Sequence, residues 1–203
     1  MRIDSHQHFW NYDPVKDAWI SKDMKVIQRD FLPADLQPLL VSNNLDGCIS
    51  VQADQSEEET HFLLQLATEN DFIKGVVGWI DLRAENLEAR LDYFSQFRKL
   101  KGFRHIVQAE PEDDFLLQED FCVGISKLAK YNFTYDLLIL PKHLPYATIL
   151  AKRFPLQSFV IDHLAKPDFK QIDFAVKKKE MRRIAACPNV ACKVSGLVTE
   201  ADW

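Results

Sequence analysis

The sequence predicts an α/β protein built on a parallel β-sheet, and three observations carry this prediction. Short apolar runs alternate along the 203 residues with longer stretches whose apolar residues recur at helical spacing. Seven such runs can be counted, which is the pattern of repeated strand–helix units. Polar side chains accumulate where the runs end, and in parallel α/β folds the functional site lies at that edge of the sheet.

Length and apolar content favour one domain of ordinary size over 1–203. The apolar fraction of 47% is sufficient for a substantial core, and no Gly/Ser-rich linker divides the chain. The net charge of −5 gives no reason to expect nucleic acid or an anionic membrane as a partner. The basic run KKKEMRRI at 177–184 is therefore interpreted as a solvated helix face.

Cysteine usage and the N-terminus bear on the compartment. Four cysteines lie in apolar runs without C-x-x-C spacing, so we expect reduced core cysteines rather than disulfides or zinc ligands. No stretch reaches the roughly 20 apolar residues of a membrane span, and the charged start MRIDSH does not resemble a signal peptide. These features predict a cytoplasmic protein. The cysteines are Cys48, Cys122, Cys187 and Cys192.

The first strand is predicted within MRIDSHQHFW and carries the strongest local motif. Because residues two apart on a strand share a face, His6 and His8 should lie side by side at the end of the strand. Asp4 and Arg2 should share that face, which leaves a polar stripe that must be paired or coordinated if it is buried. In the following aromatic loop, 9–20, Trp10, Tyr12 and Trp19 either line a pocket or pack against the loop itself.

The remaining strands are placed where short apolar runs are bounded by turn residues. Together with the first, we expect them within 3–10, 45–54, 72–82, 100–110, 132–140, 158–167 and 189–197.

Helices are predicted between the strands from apolar spacing and start signals. The first has a proline near its start, and the second begins at Ser56, a candidate N-cap that is followed by glutamates. We expect helices at 33–44, 56–71, 84–100, 120–131 and 141–154, and a sixth around 177–184.

Period-two alternation assigns polar residues to faces at the strand ends, and their number at consecutive strands indicates one shared pocket. The alternative is that strand ends are polar because they approach solvent. The residues assigned to one face are Ser50 and Gln52 on the second strand, Trp79 and Asp81 on the third, and Lys193 and Ser195 on the seventh. On the fourth strand Arg104, Ile106 and Gln108 share a face, and His105 points to the opposite one. The sixth strand is followed by the polar residues Asp162, His163 and Lys166.

Four motifs together resemble a known family. The stretches IDSHQHFW, KGFRHIVQAEP, VIDHLAKP and CKVSGL are similar, in this order, to the amidohydrolase-2 branch of the amidohydrolase superfamily. Within it they most resemble sugar-lactone hydrolases of the L-fuconolactonase and L-rhamnonolactonase type. The resemblance covers the whole chain and implies a TIM-like (β/α)8 barrel that hydrolyses an aldonolactone in sugar catabolism.

The resemblance also implies roles for particular residues. His6, His8 and His163 match the family's metal-site or catalytic histidines, which would hold one divalent ion such as zinc. Whether a metal is required stays open, because the superfamily includes members that use none. Five further positions are expected to bind substrate or line the pocket: Arg104, Gln108, Trp79, Gln52 and Lys193.

The chain departs from the family pattern at its end. The family's eighth strand carries an Asp that binds metal or activates water, whereas this sequence stops at TEADW, and Asp202 lies too close to the seventh strand to substitute. We therefore expect a barrel truncated after strand 7, without the last strand and helix. Such a barrel leaves two edge strands unpaired, so the chain is expected to be poorly stable alone or to form a homo-oligomer.

Three functions follow from these patterns. The leading one is hydrolysis of a sugar lactone, with His163 or the missing Asp taking the proton from water and Arg104 stabilising negative charge. The second is a metal-dependent decarboxylase of an aromatic or unsaturated acid on the same scaffold. The third is an inactive barrel fragment that binds a sugar acid.

Overall fold

A computed structural model describes residues 1–18, 20–167 and 174–200, with backbone only for 174–176. Trp19 and Asp202 lie outside the described residues. Seven parallel strands form one sheet in chain order, which confirms the predicted α/β class. The strands are β1 Ile3–Gln7, β2 Gly47–Val51, β3 Ile73–Gly78, β4 Leu100–His105, β5 Thr134–Leu137, β6 Phe159–Ile161 and β7 Val190–Cys192.

α-Helices connect successive strands from β1 to β7, and each lies within a predicted stretch or overlaps it. None of the helices in the described residues combines the length and apolar character needed to cross a bilayer. The helices are α1 Pro33–Ser42, α2 Glu57–Glu69, α3 Leu87–Phe94, α4 Glu119–Leu128, α5 Leu144–Arg153 and α6 Phe174–Ala185.

The sheet curls until side chains from its first and last strands meet. Nδ1 of His6, on β1, lies 3.5 Å from Nζ of Lys193, which follows β7. Within the described residues β1 and β7 each pair on one side only. The arrangement is that of a TIM-like barrel, open between β7 and β1.

Strand register separates an aromatic outer layer from a polar interior. Tyr135 of β5 pairs with Phe103 of β4 and packs against Phe121 of α4, with ring centroids 5.7 Å apart. Since side chains alternate along a strand, the next pair, Arg104 and Asp136, points to the opposite face. The apolar core therefore lies between sheet and helices, and two buried charges face the barrel interior.

Two assignments from the sequence are wrong in detail. β4 ends at His105, so Ile106 and Gln108 do not share a strand face with Arg104. The cause is local: the Gln55 side chain binds the backbone N–H of Ile106 at 2.6 Å, and Gln108 enters a 3-10 turn over Val107–Ala109.

The cysteines follow the prediction with one exception. Cys48, Cys122 and Cys187 are free and buried. Cys192, on β7, is free but exposed.

In the aromatic segment after β1, Trp10 packs against a residue outside the loop 9–20. It exchanges two backbone hydrogen bonds with Phe31, and their rings lie 4.8 Å apart. Trp10 also lines a cleft with Lys16 and Phe62. The choice between a pocket wall and packing within the loop therefore stays open.

The N-terminus of α2 forms as predicted, with the Ser56 hydroxyl accepting the backbone N–H of Glu59 at 3.2 Å. The Glu59 carboxylate in turn accepts the backbone N–H groups of Ala53 and Asp54 at 2.7 and 2.5 Å. It thereby fixes the loop after β2. Burial nevertheless raises the pKa of Glu59 from its ordinary 4.5 to about 7.

Glu59→Gln is expected to lower the free energy of unfolding by about 1–3 kcal/mol near pH 5, because an amide N–H₂ would then face a backbone N–H. Between its two pKa values Glu59 binds more protons in the folded state, so wild-type stability falls as the pH rises from 4.5 toward 7. The glutamine of the variant does not titrate in this range, so the stability difference between wild type and variant should narrow by pH 8. Urea unfolding of both proteins between pH 4.5 and pH 8 measures this difference. Glu58→Gln, at the exposed neighbour, is the control, and an equal effect there would contradict the assignment.

Candidate active site

His6 lies on β1 and His8 just past the end of the strand at Gln7, and their side chains lie together, as predicted. Their Nε2 atoms are 3.1 Å apart. Nδ1 of His8 lies 2.8 Å from the carbonyl of Val51 and must donate to it, which leaves a lone pair on Nε2. Nδ1 of His6 lies between a carboxylate oxygen of Asp162, at 3.3 Å, and Nζ of Lys193, at 3.5 Å, and of these two only the carboxylate can accept a proton from it. With a proton on Nδ1 of each histidine, the two Nε2 lone pairs would face each other, and that arrangement fits a cation between them.

Asp4 does not share this site, contrary to the alternation predicted for β1. Its carboxylate instead accepts the backbone N–H of His6 at 3.0 Å and the side-chain N–H of Gln7 at 2.5 Å. The pairing register of β1 shifts between Asp4 and Gln7, which takes the Asp4 side chain out of the polar interior.

The centre of the site is Asp162, which follows β6 and is fully buried. Besides His6, its carboxylate contacts Nη1 of Arg104 at 2.9 Å and Nζ of Lys193 at 3.1 Å. Burial would raise the pKa of Asp162, but these three partners outweigh it and hold the pKa well below the usual range. The sequence shows Asp162 only as a polar residue that follows the sixth strand, and no catalytic, metal or substrate role was predicted for it. The available signal is its position at the end of the apolar run SFVID, where a carboxylate needs a cationic partner.

A second buried carboxylate completes a balanced set of charges. Asp136 of β5 accepts a hydrogen bond from Nζ of Lys193 at 2.5 Å. Burial, and then the nearby Asp162, raise the pKa of Asp136 to about 6. The site thus contains two carboxylates, one guanidinium and one ammonium. Asp136 also escaped prediction, although it is the lone charge in the apolar run TYDLLIL.

Arg104 and Gln52 reach the site but are bound to each other. Gln52 is fully buried and accepts Nη2 of Arg104 on its backbone carbonyl and, at 3.0 Å, on Oε1. Its own Nε2 donates to the carbonyl of Arg104 at 3.1 Å. Within the described chain, Nε of Arg104 is buried without a partner. These contacts favour a supporting role for Gln52, and substrate contact by either residue stays a prediction.

His163 stands at the start of an unusual left-handed turn. Residues His163 to Lys166 all have positive φ, between 47° and 55°, and none is a glycine. The turn is held from the segment after β7: Ser195 Oγ lies 2.9 Å from His163 Nδ1, and the Lys193 carbonyl accepts the Leu164 N–H at 3.2 Å. The His163 and His6 rings lie 4.3 Å apart. Burial lowers the pKa of His163 to about 4, so the imidazole is neutral at pH 7.

Gly196 is required beside this imidazole. Its φ is +65°, and a Cβ built there would lie 2.5 Å from His163 Nδ1. Any side chain at 196 would therefore displace the histidine.

The donor set fits one zinc ion. His6, Asp162 and His163 each offer one ligand atom, all within 4.8 Å of one another, and Nε2 of His8 lies beside that of His6. Imidazole nitrogens with a carboxylate oxygen are ligands that zinc accepts. The hydrogen bond from His8 to Val51 is also typical of a metal-binding histidine, whose second nitrogen is held by a carbonyl.

The other predicted residues lie at the ends of β3 and β4. Trp79 is half-buried, and its backbone N–H and C=O both bind the Thr60 hydroxyl, at 2.8 and 2.9 Å. Gln108 is half-buried in its 3-10 turn, and its Oε1 has no partner among the described residues. Contact of Trp79 and Gln108 with substrate stays a prediction.

The sequence of the chain is similar to those of known proteins. The family model described as Amidohydrolase (Amidohydro_2) matches residues 3–203. An L-fucono-1,5-lactonase of Burkholderia multivorans is 41% identical over all of this chain and 70% of its own length. A second L-fucono-1,5-lactonase, from Burkholderia ambifaria, is 36% identical over 98% of this chain and 69% of its own length.

A solved structure is similar to the chain in both sequence and fold. The crystal structure of an amidohydrolase from Burkholderia multivorans with bound zinc has a TM-score of 0.94 and 42% identity, over all of this chain and 72% of that one. The chain thus spans about 70% of the length of the proteins that it matches.

Proposed function

The chain belongs to the amidohydrolase family, and from this membership we propose that it hydrolyses a sugar lactone to the corresponding aldonic acid. The observation that carries the proposal is the 41% identity with an L-fucono-1,5-lactonase over the whole chain. The interior cluster supports it, because it joins a cation-binding group of imidazoles to a set of balanced buried charges.

The reaction makes limited chemical demands. The oxygen of a water molecule adds to the lactone carbonyl carbon, the ring C–O bond breaks, and the proton lost by water ends on the released ring oxygen. His6, His8 and His163, with Asp162, are the residues that would hold a zinc ion. Bound there, zinc supplies a Lewis acid for the carbonyl and lowers the pKa of a coordinated water toward about 7.

His163 is proposed as the residue closest to the proton transfer. It is neutral at pH 7, and a hydrogen bond from its Nδ1 to Ser195 would leave Nε2 free. That nitrogen either binds the ion or accepts the proton of water directly. Arg104 keeps Asp162 ionised and adds fixed positive charge where the carbonyl oxygen becomes negative.

The remaining predicted residues are proposed to contact the substrate or to hold the charged groups in place. Trp79 and Gln108, at the ends of β3 and β4, contact the sugar ring. Lys193 and Gln52 hold Asp162 and Arg104, the groups next to the reacting atoms.

Acid release from a panel of aldonolactones, followed with a pH indicator, tests the proposal. We expect the wild type to hydrolyse at least one member and His163→Asn to lose activity by about 100-fold or more. His61→Asn is the control, because His61 packs among Tyr93, Phe94 and Phe97 on the outer layer. Carbon dioxide release from an aromatic acid, without lactone turnover, would support the decarboxylase instead. A thermal shift with sugar acids but no turnover would indicate a binding protein.

Removal of metal by a chelator is expected to lower the lactonase rate by about 100-fold, with recovery on addition of zinc, because carbonyl polarisation depends on the ion. The measurement is the rate before dialysis, after it, and after titration with zinc or magnesium. Magnesium is the control, since three imidazoles suit zinc and not a hard cation. An unchanged rate in protein shown to be metal-free would assign His163 as the base and contradict the metal site.

A further inference from the structure

A second cluster of polar groups lies beside the proposed site, at the end of β4. The indole Nε1 of Trp79 lies 3.3 Å from Nδ1 of His105, and Nε2 of His105 lies 2.5 Å from Oε1 of Glu110. The side chains of His105 and Glu110 are only 13% and 23% exposed. None of the proposed steps of hydrolysis uses this histidine or this glutamate.

The donors and acceptors fix the direction of both hydrogen bonds. An indole N–H can only donate, so Nδ1 of His105 must accept and carries no proton. The proton of the neutral imidazole is then on Nε2, which donates to the Glu110 carboxylate. Both ring nitrogens of His105 are therefore engaged. A histidine whose second nitrogen is covered by an indole has none left to exchange a proton with substrate, so this dyad is not a second acid–base pair.

Both ends of the hydrogen-bonded chain are anchored. Glu110 directly follows the 3-10 turn of Val107–Ala109, whose Gln108 N–H binds the Leu138 carbonyl at 3.0 Å. The His105 ring stacks on Phe115, with centroids 5.0 Å apart and planes within 10°. At the other end, Thr60 of α2 binds both backbone polar groups of Trp79. The indole is thus held at its backbone and at its nitrogen.

We propose that His105 and Glu110 are positioning residues that fix the Trp79 indole as a rigid wall of the substrate pocket. Since its N–H is already bound within the protein, a ligand in contact with the indole would meet its apolar ring and no free hydrogen-bond donor. Trp79 would then select a sugar lactone by the shape of an apolar face of the ring. This substrate role rests on the proposed lactonase function and on the predicted contact of Trp79 with substrate, whereas the fixing of the indole does not.

The fixing of the indole is tested without turnover, by hydrogen exchange of ¹⁵N-labelled tryptophan side chains. Trp79→Phe identifies the Trp79 indole signal. In Glu110→Ala that signal should exchange about 10-fold faster than in the wild type, because His105 loses the acceptor that fixes its tautomer. Glu110→Gln retains an oxygen acceptor and should restore slow exchange. Glu112→Ala, an exposed glutamate in the same loop, is the matched control. Equal exchange in Glu110→Ala and Glu112→Ala would overturn the proposal, even if the protein hydrolyses no lactone.

The substrate role is tested by kinetics on the best lactone. Glu110→Ala and His105→Leu should raise KM about 10-fold with kcat nearly unchanged, because the wall contacts substrate and transition state alike. In a Trp79→Phe background, Glu110→Ala should add no further change, since the two act through one contact. Additive effects, or a fall in kcat alone, would overturn the positioning role, while absence of lactone turnover in the wild type would count against the proposed function.

Discussion

Asp162→Asn is expected to abolish measurable lactone hydrolysis, by about 1,000-fold or more, and to lower the free energy of unfolding by about 3–5 kcal/mol. Among the described residues, Asp162 is the one carboxylate in contact with all three of His6, Arg104 and Lys193. An asparagine of the same shape leaves two buried cations with a single carboxylate, Asp136. Its amide N–H₂ would also face groups that can only donate.

Urea unfolding and lactonase rates on the same preparations measure both effects. Asp113→Asn is the matched control, because Asp113 is about half exposed and pairs with Lys142 at the surface. Surface ion pairs contribute about 0–1 kcal/mol, so that variant should unfold close to the wild type. A stable and active Asp162→Asn protein would show that Arg104 and Lys193 are not balanced through this residue.

Gly196→Ala is expected to lower kcat/KM about 100-fold, with a smaller loss of stability than that of Asp162→Asn. The added Cβ would lie 2.5 Å from His163 Nδ1, so the imidazole must rotate away from Ser195 and from His6. The positive φ at 196 adds strain for any residue other than glycine.

The measurements are steady-state kinetics and zinc affinity, the latter by competition with a chelating dye in the absence of substrate. Val194→Ala changes an exposed side chain of the same segment and should alter neither. Ser195→Ala should weaken zinc binding less than Gly196→Ala, because it removes a hydrogen bond but does not displace the ring. Wild-type zinc affinity in Gly196→Ala would contradict the placement of His163.

The parts of the site that the sequence predicts are those that depend on local spacing. His6 on β1 and His8 just past its end are two residues apart, and their rings lie together although the same alternation fails for Asp4. Convergence of the strand ends follows from the parallel sheet itself. Both predictions need only the secondary structure and its direction.

Asp162 and Asp136 were missed because their partners are far away in sequence. Asp136 is the lone charge in its apolar run, but its partner Lys193 is 57 residues further along the chain. Arg104 and Gln52 were predicted to bind substrate, and in the structure they bind each other. The sequence pattern alone does not distinguish an inward polar group that is free to bind substrate from one that is already hydrogen-bonded within the protein.

The left-handed turn after β6 could not be predicted from the local sequence, for a different reason. The sequence His163-Leu-Ala-Lys166 contains no glycine or asparagine, the residues that favour positive φ. Its conformation opposes local preference by roughly 1–2 kcal/mol per residue. The compensating contacts come from the segment Lys193–Gly196.

The left-handed turn after β6 affects whether the protein loses its activity before its folded sheet when denaturant is added. The orientation of His163 is a tertiary property, because the contacts that maintain it come from the short segment after β7. Local opening of a short segment requires less free energy than global unfolding. Once that segment separates, the turn relaxes toward negative φ and the imidazole leaves the cluster, while β2 to β6 remain paired. Under mild denaturant, inactivation should therefore precede the cooperative loss of the sheet.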